Sequence, residues 1–369
     1  MKQTIGIDCR LAGIEHAGIG RYIEELVRHL TQNTSITWVL FFQKEKQLPW
    51  LMESDHIRIV VTPIRHYTIE EQVVMPSVFL REKLDLLHVP HFNVPLFYNK
   101  PFVVTIHDLL WHDQRGENMT TLSPLIYSAK YRAYKLVSSK AISRAQQVLV
   151  PATTVKETIT SHMSGIDAKK IVVTYEGVDE FWFQTDTKRA PIQDSEKILF
   201  YTGSLYPHKN VMLVVRSLKE LPAYHLYISS SRNVFVDKFM KEVEQEGMSE
   251  RVTHLGRLSD EELRFWYHRS TALVQPSLSE GFGLTGVEAL AAGLPLLASN
   301  IPIFTEIYKN TCISFDPMYP ASFVEAVHVL EGKDRTKMIL KGKKQAKEYS
   351  WEKMAQQTLE VYQTALRSK

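Results

Sequence analysis

One stretch of the chain reads Ser279-Glu280-Gly281-Phe282-Gly283-Leu284-Thr285-Gly286-Val287-Glu288-Ala289-Leu290. An apolar run at residues 271–276 comes before it, and small apolar residues continue after it until Gly293 and Pro295 end the pattern. This order predicts a strand, a tight glycine-rich turn and a closely packed helix. Glycines let a backbone approach a ligand, and the free N–H groups at a helix start suit an anion such as a diphosphate.

The two carboxylates of this stretch, Glu280 and Glu288, lie eight residues apart. Glu280, in the turn, would face the reacting end of a ligand. Glu288, one turn into the helix, could reach a second polar part of it, such as ribose hydroxyls. The alternative is a solvated loop residue and an ordinary surface helix residue. A charge so near the start of a buried helix favours a ligand with the layout of a sugar nucleotide.

Strands and helices alternate along both halves of the chain. The first half has predicted helices at 22–30 and 122–144, and predicted strands at residues 5–7, 37–42, 57–61, 86–89, 102–106, 147–150 and 171–173. After a polar stretch at 184–196, new strands are predicted at residues 198–201, 225–228, 252–255, 272–274 and 296–298. This alternation predicts an α/β protein with two doubly wound, Rossmann-like parallel sheets, in domains 1–185 and 186–350.

Composition limits the class of protein. A length of 369 residues fits two domains, and 44% hydrophobic with 23% charged residues is typical of a soluble globular protein. The net charge of +3 implies no nucleic-acid partner. Cys9 and Cys312 are far apart, which excludes a disulfide framework and a cysteine zinc site. The first residues lead directly into a strand without a signal-peptide pattern, so we expect a cytoplasmic protein.

Several candidate loops follow predicted strands. Ligands of open α/β sheets bind beyond the carboxyl ends of the strands. The loops at that position contain residues 18–20, His107, residues 203–209, residues 256–258 and residues 280–284. Loops from two sheets would then face one central cleft.

These motifs resemble the family 4 retaining glycosyltransferases of GT-B fold. The Glu-x7-Glu element, with Gly-Phe-Gly inside it and Glu-Ala-Leu-Ala-Ala-Gly-Leu-Pro at residues 288–295, is similar to the family signature. Further segments resemble the family in the same order along the chain: Asp8-Cys9-Arg10, Gly18-Ile19-Gly20-Arg21-Tyr22, Thr105-Ile106-His107-Asp108-Leu109, Gly203-Ser204-Leu205-Tyr206-Pro207-His208-Lys209-Asn210 and residues 255–263. The Gly-Ile-Gly-Arg-Tyr form is similar to bacterial members that transfer mannose or related hexoses in surface polysaccharide assembly.

The resemblance implies a metal-independent transferase whose donor is a GDP- or UDP-linked sugar, with no other cofactor and no protein nucleophile. His107 would contact the transferred sugar and a phosphate, Glu280 would hold sugar hydroxyls, and Lys209 would neutralise the departing diphosphate. The donor-binding residues carried over are Gly18, Gly20, Gly203, Ser204, Lys209, Arg257, Leu258, Gly281, Phe282, Gly283, Leu284 and Glu288. The resemblance also implies that a terminal helix, residues 351–369, crosses back to the first domain.

The chain departs from the family pattern at three sites, one of which is Ser229-Ser230-Ser231, where many members have a glycine after the strand. Ser204 stands where a second cation is common, so Arg21 or the helix start at Gly283 would have to help balance the diphosphate charge. Glu176 stands where Asn is common.

Some residues keep two interpretations. Gly18-Ile19-Gly20 lacks the third glycine of a dinucleotide fingerprint and is interpreted as a flexible loop around donor phosphates. Asp8 and Arg10 either shape the acceptor side or satisfy loop backbone. His88, His91 and His112 could form a metal site with His107, but their irregular spacing favours ordinary loop histidines.

The segment 123–144 is basic. It contains Lys130, Arg132, Lys135, Lys140 and Arg144 without an acid, and three tyrosines are interleaved. It is either a solvated helix with an aromatic inner face or a face for anionic lipid headgroups or a lipid-linked acceptor at the inner face of the membrane.

Other functions remain open at this point. A nucleotide-sugar epimerase would need its own carboxylate pair near the sugar, and a phosphorylase would need a cofactor lysine. A non-catalytic nucleotide-sugar-binding protein is the third alternative. The glycan or lipid-linked acceptor, the sugar and the base are not determined by these residues.

Overall fold

The computed structural model describes residues 2–109, 124–184, 197–230 and 235–367. The chain divides into two compact units, the first formed by residues 1–177 and 351–369 and the second by residues 178–350. Each unit contains one parallel β-sheet with helices around it, so the fold is α/β with two sheets.

The first unit is built on a seven-stranded parallel sheet in the order β3-β2-β1-β4-β5-β6-β7. Its strands are β1 (Gln3–Asp8), β2 (Ile36–Phe42), β3 (Ile57–Val61), β4 (Leu86–Val89), β5 (Phe102–Thr105), β6 (Gln147–Val150) and β7 (Ile171–Val173). Its first helices are α1 (Ala17–Leu30), α2 (Ile69–Arg81), α3 (Pro124–Arg144) and α4 (Thr153–His162). Most residues of the central strands are buried, because helices cover both faces of a parallel sheet.

The second unit has a six-stranded parallel sheet in the order β10-β9-β8-β11-β12-β13. Its strands are β8 (Lys197–Thr202), β9 (Tyr224–Ser229), β10 (Val252–Gly256), β11 (Ala272–Gln275), β12 (Leu296–Ser299) and β13 (Ile313–Phe315). Its helices are α5 (Val211–Ser217), α6 (Val236–Gln245), α7 (Asp260–Arg269), α8 (Leu284–Ala292), α9 (Pro302–Tyr308), α10 (Pro320–Glu331) and α11 (Arg335–Ala346).

Both sheets reverse their strand order at one place. In the first unit the reversal lies between β1 and β4, and in the second it lies between β8 and β11. Ligands of doubly wound sheets bind at the carboxyl ends of the strands beside this reversal, which is called the topological switch point. A ligand-binding residue is therefore expected at the carboxyl end of a strand beside one of these two points.

The last helix, α12 (Trp351–Arg367), belongs to the first unit. The Trp351 ring lies 6.5 Å from the ring of Tyr22 on α1, and the Tyr362 ring lies 6.4 Å from that of Trp38 on β2. Tyr362 is almost fully buried, so its aromatic ring contributes to the core of the first unit.

The structure differs from the predicted elements in three places. The units divide at 177/178 and not at residue 185, because the turn Glu180–Phe183 packs with the second unit: Trp182 is fully buried and its ring lies 5.4 Å from that of Tyr267. Strand β13 was not predicted; it is an edge strand of three residues, and its middle residue is exposed. Helix α1 begins at Ala17 and not at residue 22. Most of the predicted linker, residues 185–196, lies outside the described ranges.

No helix of the described ranges combines the length and the apolar character needed to cross a membrane.

Candidate active site

Glu280 lies in the loop between β11 and α8, directly after the switch point of the second sheet. Its Oε1 accepts a hydrogen bond from Ser277 Oγ at 2.8 Å and lies 2.7 Å from Lys209 Nζ. Both side chains of the ion pair are mostly buried, with 19% of Lys209 and 15% of Glu280 exposed. The structure therefore brings together two of the three predicted catalytic residues.

Lys209 is held by the loop that follows β8. It ends a short 3-10 turn, Pro207–Lys209, and Asn210 then adopts a left-handed conformation with φ 54°. Asn adopts this conformation more readily than most other residues. Asn210 Nδ2 donates to the carbonyl of Pro317, which is distant in sequence, at 2.8 Å and so fixes the loop. The His208 carbonyl accepts from the backbone N–H of Leu278 at 2.8 Å, which ties this loop to the loop of Glu280.

The charges in this region stabilise one another. Burial alone would raise the pKa of Glu280, but the Lys209 ammonium and the hydrogen bonds from Lys209 and Ser277 outweigh it, so this pKa lies below its usual value. Burial and the neighbouring Lys209 charge lower the pKa of His208 to about 4. Burial and the Glu280 charge raise the pKa of Tyr201. At neutral pH the local charges are thus one ammonium and one carboxylate, with His208 and Tyr201 neutral.

The glycines of the signature allow α8 to begin where it does. Gly283 has φ +92°, and a Cβ atom there would lie 2.2 Å from Tyr308 Oη. Tyr308 Oη instead donates to the Gly283 carbonyl at 2.7 Å. Phe282 is buried and its ring lies 5.3 Å from that of Tyr349, whereas Gly281 is partly exposed. A glycine is therefore required before α8, because Tyr308 fills the space that a side chain at residue 283 would need.

Glu288 lies in the second turn of α8 and is only 4% exposed. The alternative that it is an ordinary surface residue is therefore wrong. A buried carboxylate needs partners, so its presence in an otherwise apolar helix requires a specific polar environment.

The remaining predicted donor residues of the second unit lie at the ends of neighbouring strands. Gly203 follows β8 with φ +145°, and Tyr201 Oη donates to the Ser204 carbonyl at 2.6 Å. Arg257 and Leu258 follow β10, where Arg257 is exposed and Leu258 partly buried. Every one of these residues lies at the carboxyl edge of the second sheet.

Gly18 and Gly20 do not form the predicted loop, because both lie in the first turn of α1. The reason for glycine at residue 20 is packing. A Cβ atom there would lie 1.9 Å from the Gly13 carbonyl oxygen, and the Gly13 N–H donates to the Gly20 carbonyl at 3.2 Å. Nothing lies within 4 Å of a Cβ atom added at Gly18. A flexible loop here was therefore the wrong prediction, although the start of a helix still presents free N–H groups.

His107 lies just after β5 in the first unit. Its Nδ1 is 3.3 Å from Glu176 Oε1, and its Nε2 is 3.1 Å from the Pro90 carbonyl oxygen. The Tyr22 ring lies against it edge-on, with centroids 4.7 Å apart. The sequence analysis assigned Glu176 only to a turn. Its one unusual feature in the sequence was that Glu stands where Asn is common in the family, and this signal could have identified it as a site residue.

A chain of hydrogen bonds lies behind His107. Tyr22 Oη is 3.2 Å from Thr105 Oγ1, which is 2.8 Å from His88 Nε2, while His88 Nδ1 is 2.6 Å from Tyr362 Oη. Burial and the neighbouring His107 lower the pKa of His88 to about 3, so His88 is neutral. It is a core residue and not a metal ligand in a loop. The suggested fourth histidine, His112, lies outside the described residues.

Asp8 and Arg10 form a buried ion cluster that sequence reasoning did not foresee. Arg10 Nη2 lies 2.6 Å from Asp8 Oδ2 and 2.7 Å from Glu71 Oε1 on α2. Glu71 Oε2 accepts from the Tyr67 N–H at 2.7 Å and also from Asn93 Nδ2. This cluster connects the end of β1 with α2 and the loop after β4, so a structural role fits both Asp8 and Arg10.

Part of this cluster has the donor set of a cation site. Among the described residues, Asp8, His66 and Glu71 are the one group whose possible ligand atoms lie within 4.8 Å of one another. Both carboxylates already bond the Arg10 guanidinium, which supplies their counter-charge.

The basic helix α3 has two faces. Tyr134 is buried against Phe92, with ring centroids 4.8 Å apart, whereas the other two tyrosines, Tyr127 and Tyr131, are only half-buried. Arg144 donates to the Leu96 carbonyl at 2.7 Å and to the Tyr98 carbonyl. These bonds connect the helix to a neighbouring loop, so Arg144 has a structural role. The helix has four further cations, all of them exposed: Lys130, Arg132, Lys135 and Lys140.

Comparison with known proteins agrees with this geometry. Residues 16–180 match the family described as Glycosyltransferase Family 4, and residues 183–350 match the family described as Glycosyl transferases group 1. The O-antigen chain mannosyltransferase RfbU of Salmonella typhimurium is 27% identical over 252 residues, which are 67% of this chain and 65% of that protein. The chain thus aligns with just under two thirds of the length of this relative.

Solved structures share the fold over the whole chain. Sucrose-phosphate synthase from Thermosynechococcus elongatus superposes with a TM-score of 0.81 at 17% identity and covers 100% of both chains. HepE of Anabaena, solved in complex with UDP and glucose, superposes with a TM-score of 0.74 at 16% identity, covering 98% of this chain and 100% of that one. The chain therefore belongs to the family 4 glycosyltransferases of GT-B fold.

Proposed function

We propose that this protein is a retaining glycosyltransferase that moves a hexose from a nucleotide-diphospho-sugar to a glycan or lipid-linked acceptor. The observation that carries the proposal is the Lys209–Glu280 ion pair at the carboxyl edge of the second sheet, beside the switch point and the start of α8. An ammonium and free N–H groups suit a diphosphate, and a carboxylate beside them suits sugar hydroxyls. The family match supports the same chemistry.

Within this proposal each residue of the second unit has one task. Lys209 and the N–H groups at 282–284 stabilise charge on the departing diphosphate, where positive groups lower the barrier of bond cleavage. Glu280 holds sugar hydroxyls, and Glu288 holds the ribose. The strand ends at Gly203 and Ser204, and at Arg257 and Leu258, contribute to phosphate and base binding. No residue acts as a covalent nucleophile.

The donor is proposed to be GDP- or UDP-linked, with mannose as the favoured sugar. The name of the Salmonella relative, an O-antigen chain mannosyltransferase, supports mannose and polysaccharide assembly, and the UDP and glucose in the HepE structure keep a uridine donor open. The cytoplasm is the proposed location, because nucleotide sugars are expected there.

The experiment is a thermal-shift screen against nucleoside diphosphates and their sugars, followed by turnover of the donors that bind. We expect the unfolding temperature to rise with GDP, UDP or their hexose conjugates, because a ligand that binds only the folded state stabilises it. Turnover should release nucleoside diphosphate and give an α-linked product from an α-linked donor. Inversion of the anomeric centre would contradict the retaining assignment, and donor binding without turnover on any acceptor would favour a non-catalytic binding protein.

Metal independence is part of the proposal. Lys209 supplies positive charge at the predicted diphosphate position, and the sequence places no Asp-x-Asp pair there. Turnover should therefore be unchanged in EDTA. Loss of turnover in EDTA with recovery on adding magnesium or manganese would contradict it.

A lipid-linked acceptor is supported by α3. Lys130, Arg132, Lys135 and Lys140 are exposed on this helix, and the apolar side chains of Ile126 and Leu136 are about half exposed there. Basic side chains beside exposed apolar ones fit the boundary of an anionic membrane. We include peripheral contact of α3 with such a surface in the proposal.

A further inference from the structure

Tyr308, the last residue of α9, donates its phenolic hydrogen to the Gly283 carbonyl at 2.7 Å. Its ring is fully buried and stacks on that of Phe304, with centroids 4.9 Å apart. Burial raises the pKa of the phenol, and the nearby Glu280 charge raises it further, so Tyr308 keeps this hydrogen at neutral pH. A fixed donor therefore holds the carbonyl that directly precedes α8.

Gln275, at the carboxyl end of β11, supports this hydroxyl. Its amide lies within hydrogen-bond distance of Tyr308 Oη and, through its other polar atom, 2.7 Å from Thr285 Oγ1 in the first turn of α8. A primary amide carries both donors and an acceptor, so it can bond two hydroxyls at once. Because Gln275 is itself buried, water has little access to replace it. Tyr308 is thus fixed relative to both the strand and the helix of the signature.

The same hydroxyl explains a second glycine of the signature. A Cβ atom added at Gly286, within α8, would lie 2.3 Å from Tyr308 Oη and 2.5 Å from Gln275 Oε1. At Gly283 an added Cβ atom would meet the same Tyr308 Oη at 2.2 Å. Two glycines of the signature therefore leave room for one phenol at the start of α8.

The Gly283 carbonyl belongs to the same peptide unit as the Leu284 N–H. This peptide is trans and planar, so its carbonyl and its N–H point in opposite directions. Because Tyr308 binds the carbonyl from the buried side, the Leu284 N–H points away from Tyr308. Leu284 is the first residue of α8, so this N–H has no partner within the helix. Glycine permits several orientations of the unit, and the phenol, together with the Gly286 N–H at 3.0 Å from the same carbonyl, selects one.

We propose that Tyr308 is a positioning residue for the donor: by holding the Gly283 carbonyl, it directs the Leu284 N–H toward the diphosphate of the nucleotide. A donor group that is oriented before the ligand arrives needs no reorganisation when charge develops on the departing diphosphate. Tyr308 is fully buried and acts through Gly283 without touching the ligand. This inference rests on the proposed function, because that function assigns the diphosphate to N–H groups at 282–284.

The first test removes only the hydroxyl, with Tyr308→Phe. Binding is measured by calorimetry for GDP or UDP, whichever the wild type binds, and by competition for the matching nucleoside, which has no phosphate. We expect the Kd of the diphosphate to rise roughly three- to tenfold, the scale of one neutral hydrogen bond, while the Kd of the nucleoside stays unchanged. Equal weakening of both ligands would leave Tyr308 a structural role only, and an unchanged diphosphate affinity would also overturn the proposal.

Tyr224→Phe is the matched control. Tyr224 is a buried tyrosine of the same unit whose hydroxyl donates to Glu331 Oε1 at 3.0 Å. It begins β9 and so lies at the opposite end of the sheet from Gly283. This variant also loses one phenolic hydrogen bond, but it should bind both ligands as tightly as the wild type does. Selective weakening of the diphosphate in this control would overturn the assignment of the effect to the start of α8.

The second test observes the Leu284 N–H directly and does not require the variant to fold. Nitrogen-15 NMR of leucine-labelled wild-type protein, with Leu284 assigned through a Leu284→Met variant, follows this amide during titration with the nucleoside diphosphate and with the nucleoside. We expect the diphosphate to shift the amide proton downfield and the nucleoside to leave it in place. An amide that responds equally to both ligands, or to neither, would overturn the proposal.

Failure of this inference is distinguishable from failure of the proposed function, because the NMR result does not depend on turnover. A Leu284 N–H that responds to the diphosphate in a protein that transfers no sugar would contradict the proposed function alone. Sugar transfer by a protein whose Leu284 N–H does not respond would contradict this inference alone.

Discussion

In the proposed diphosphate site the Lys209 ammonium already has an anionic partner, because Glu280 Oε1 lies 2.7 Å from Lys209 Nζ. Any phosphate that binds Lys209 must share this ammonium with a carboxylate. Such sharing is favourable only if the sugar or the N–H groups of α8 offset the nearby negative charge. The two residues therefore have to be tested separately and by different measurements.

Replacing Lys209 with Ala should weaken binding of the nucleoside diphosphate. Losing one charge-assisted contact costs about 1.5–3 kcal/mol, which corresponds to a roughly 10- to 100-fold higher Kd. We expect the upper part of this range, since Ser204 stands where a second cation is common. Isothermal titration calorimetry measures the change.

Lys197→Ala is the control for this variant. Lys197 starts the same strand, β8, and forms an ion pair with Glu331 at 2.5 Å, at the opposite end from Lys209. The Lys197→Ala variant should bind the nucleoside diphosphate as tightly as the wild type does. If the Lys209→Ala variant binds the nucleoside diphosphate with wild-type affinity, Lys209 does not belong to the diphosphate site.

Glu280→Gln and Glu288→Gln should differ in kind. Glu280→Gln should reduce transfer while the affinity for the sugar-free nucleoside diphosphate stays equal or becomes tighter, because it frees Lys209 from its carboxylate partner. Glu288→Gln should weaken the sugar-free nucleotide, because Glu288 is assigned to the ribose. Binding and turnover are measured for both variants. Equal nucleotide affinity in the two variants would mean that the ligand orientation is assigned wrongly.

At the scale of elements, close backbone packing explains glycines that sequence reasoning assigned to ligand binding. Gly20 lies where α1 meets the turn of Gly13, and Gly283 lies where α8 meets Tyr308. At both helix starts, a side chain in place of the glycine would clash with the segment packed against it. Gly283 also has a left-handed φ of +92°, which favours glycine.

Gly18→Ala and Gly20→Ala should have opposite effects on stability. A methyl group at Gly20 would meet the Gly13 carbonyl at 1.9 Å, so the backbone must move. Such overpacking costs about 1–3 kcal/mol. Gly18→Ala has open space and should stabilise α1 by about 0.5–1 kcal/mol, the usual advantage of Ala over Gly within a helix. Urea unfolding of both variants compares them, and equal destabilisation would contradict the packing explanation.

At the scale of the whole molecule, two sheets repeat one strand order, and each has its switch point. The side chains near the two switch points differ in chemistry. The first unit presents His107 and the cluster of Asp8, Arg10 and Glu71, whereas the second presents Lys209 and Glu280. The same architecture thus holds different charged and polar side chains in its two copies.

Exposed basic residues of α3 should bind anionic membranes. About 1 kcal/mol for each basic residue near an anionic surface gives reversible attachment, and salt should weaken it, because exposed charges are screened beyond about 8 Å at physiological ionic strength. Liposome flotation with and without anionic lipid compares the wild type with the Lys130→Glu, Lys135→Glu, Lys140→Glu triple variant. We expect flotation of the wild type only, and only with anionic lipid.

The control carries the same change of charge on α11, through Lys337→Glu, Lys341→Glu and Lys344→Glu, all exposed positions of the second unit. This protein should float like the wild type. Equal behaviour of both triple variants, or no flotation of the wild type, would leave α3 as a solvated face.

The amino-acid sequence by itself determined the fold class and the positions of the described strands other than β13. Apolar runs alternate with helical segments, and β-branched strands buried on both faces carry a strong local signal, as at residues 102–105 and 272–275. The signature around Glu280 also indicated the strand, turn and helix that the structure contains. These features depend on residues near one another in the chain, so local patterns suffice to reveal them.

Only the tertiary structure decided which distant residues meet. The pairs Lys209–Glu280, His107–Glu176 and Arg10–Glu71 join residues 71, 69 and 61 positions apart. No local pattern encodes such contacts, because they arise when strand ends converge at one edge of a sheet. Packing likewise placed Gly20 inside a helix and buried Glu288, since both outcomes depend on which atoms of other segments lie nearby.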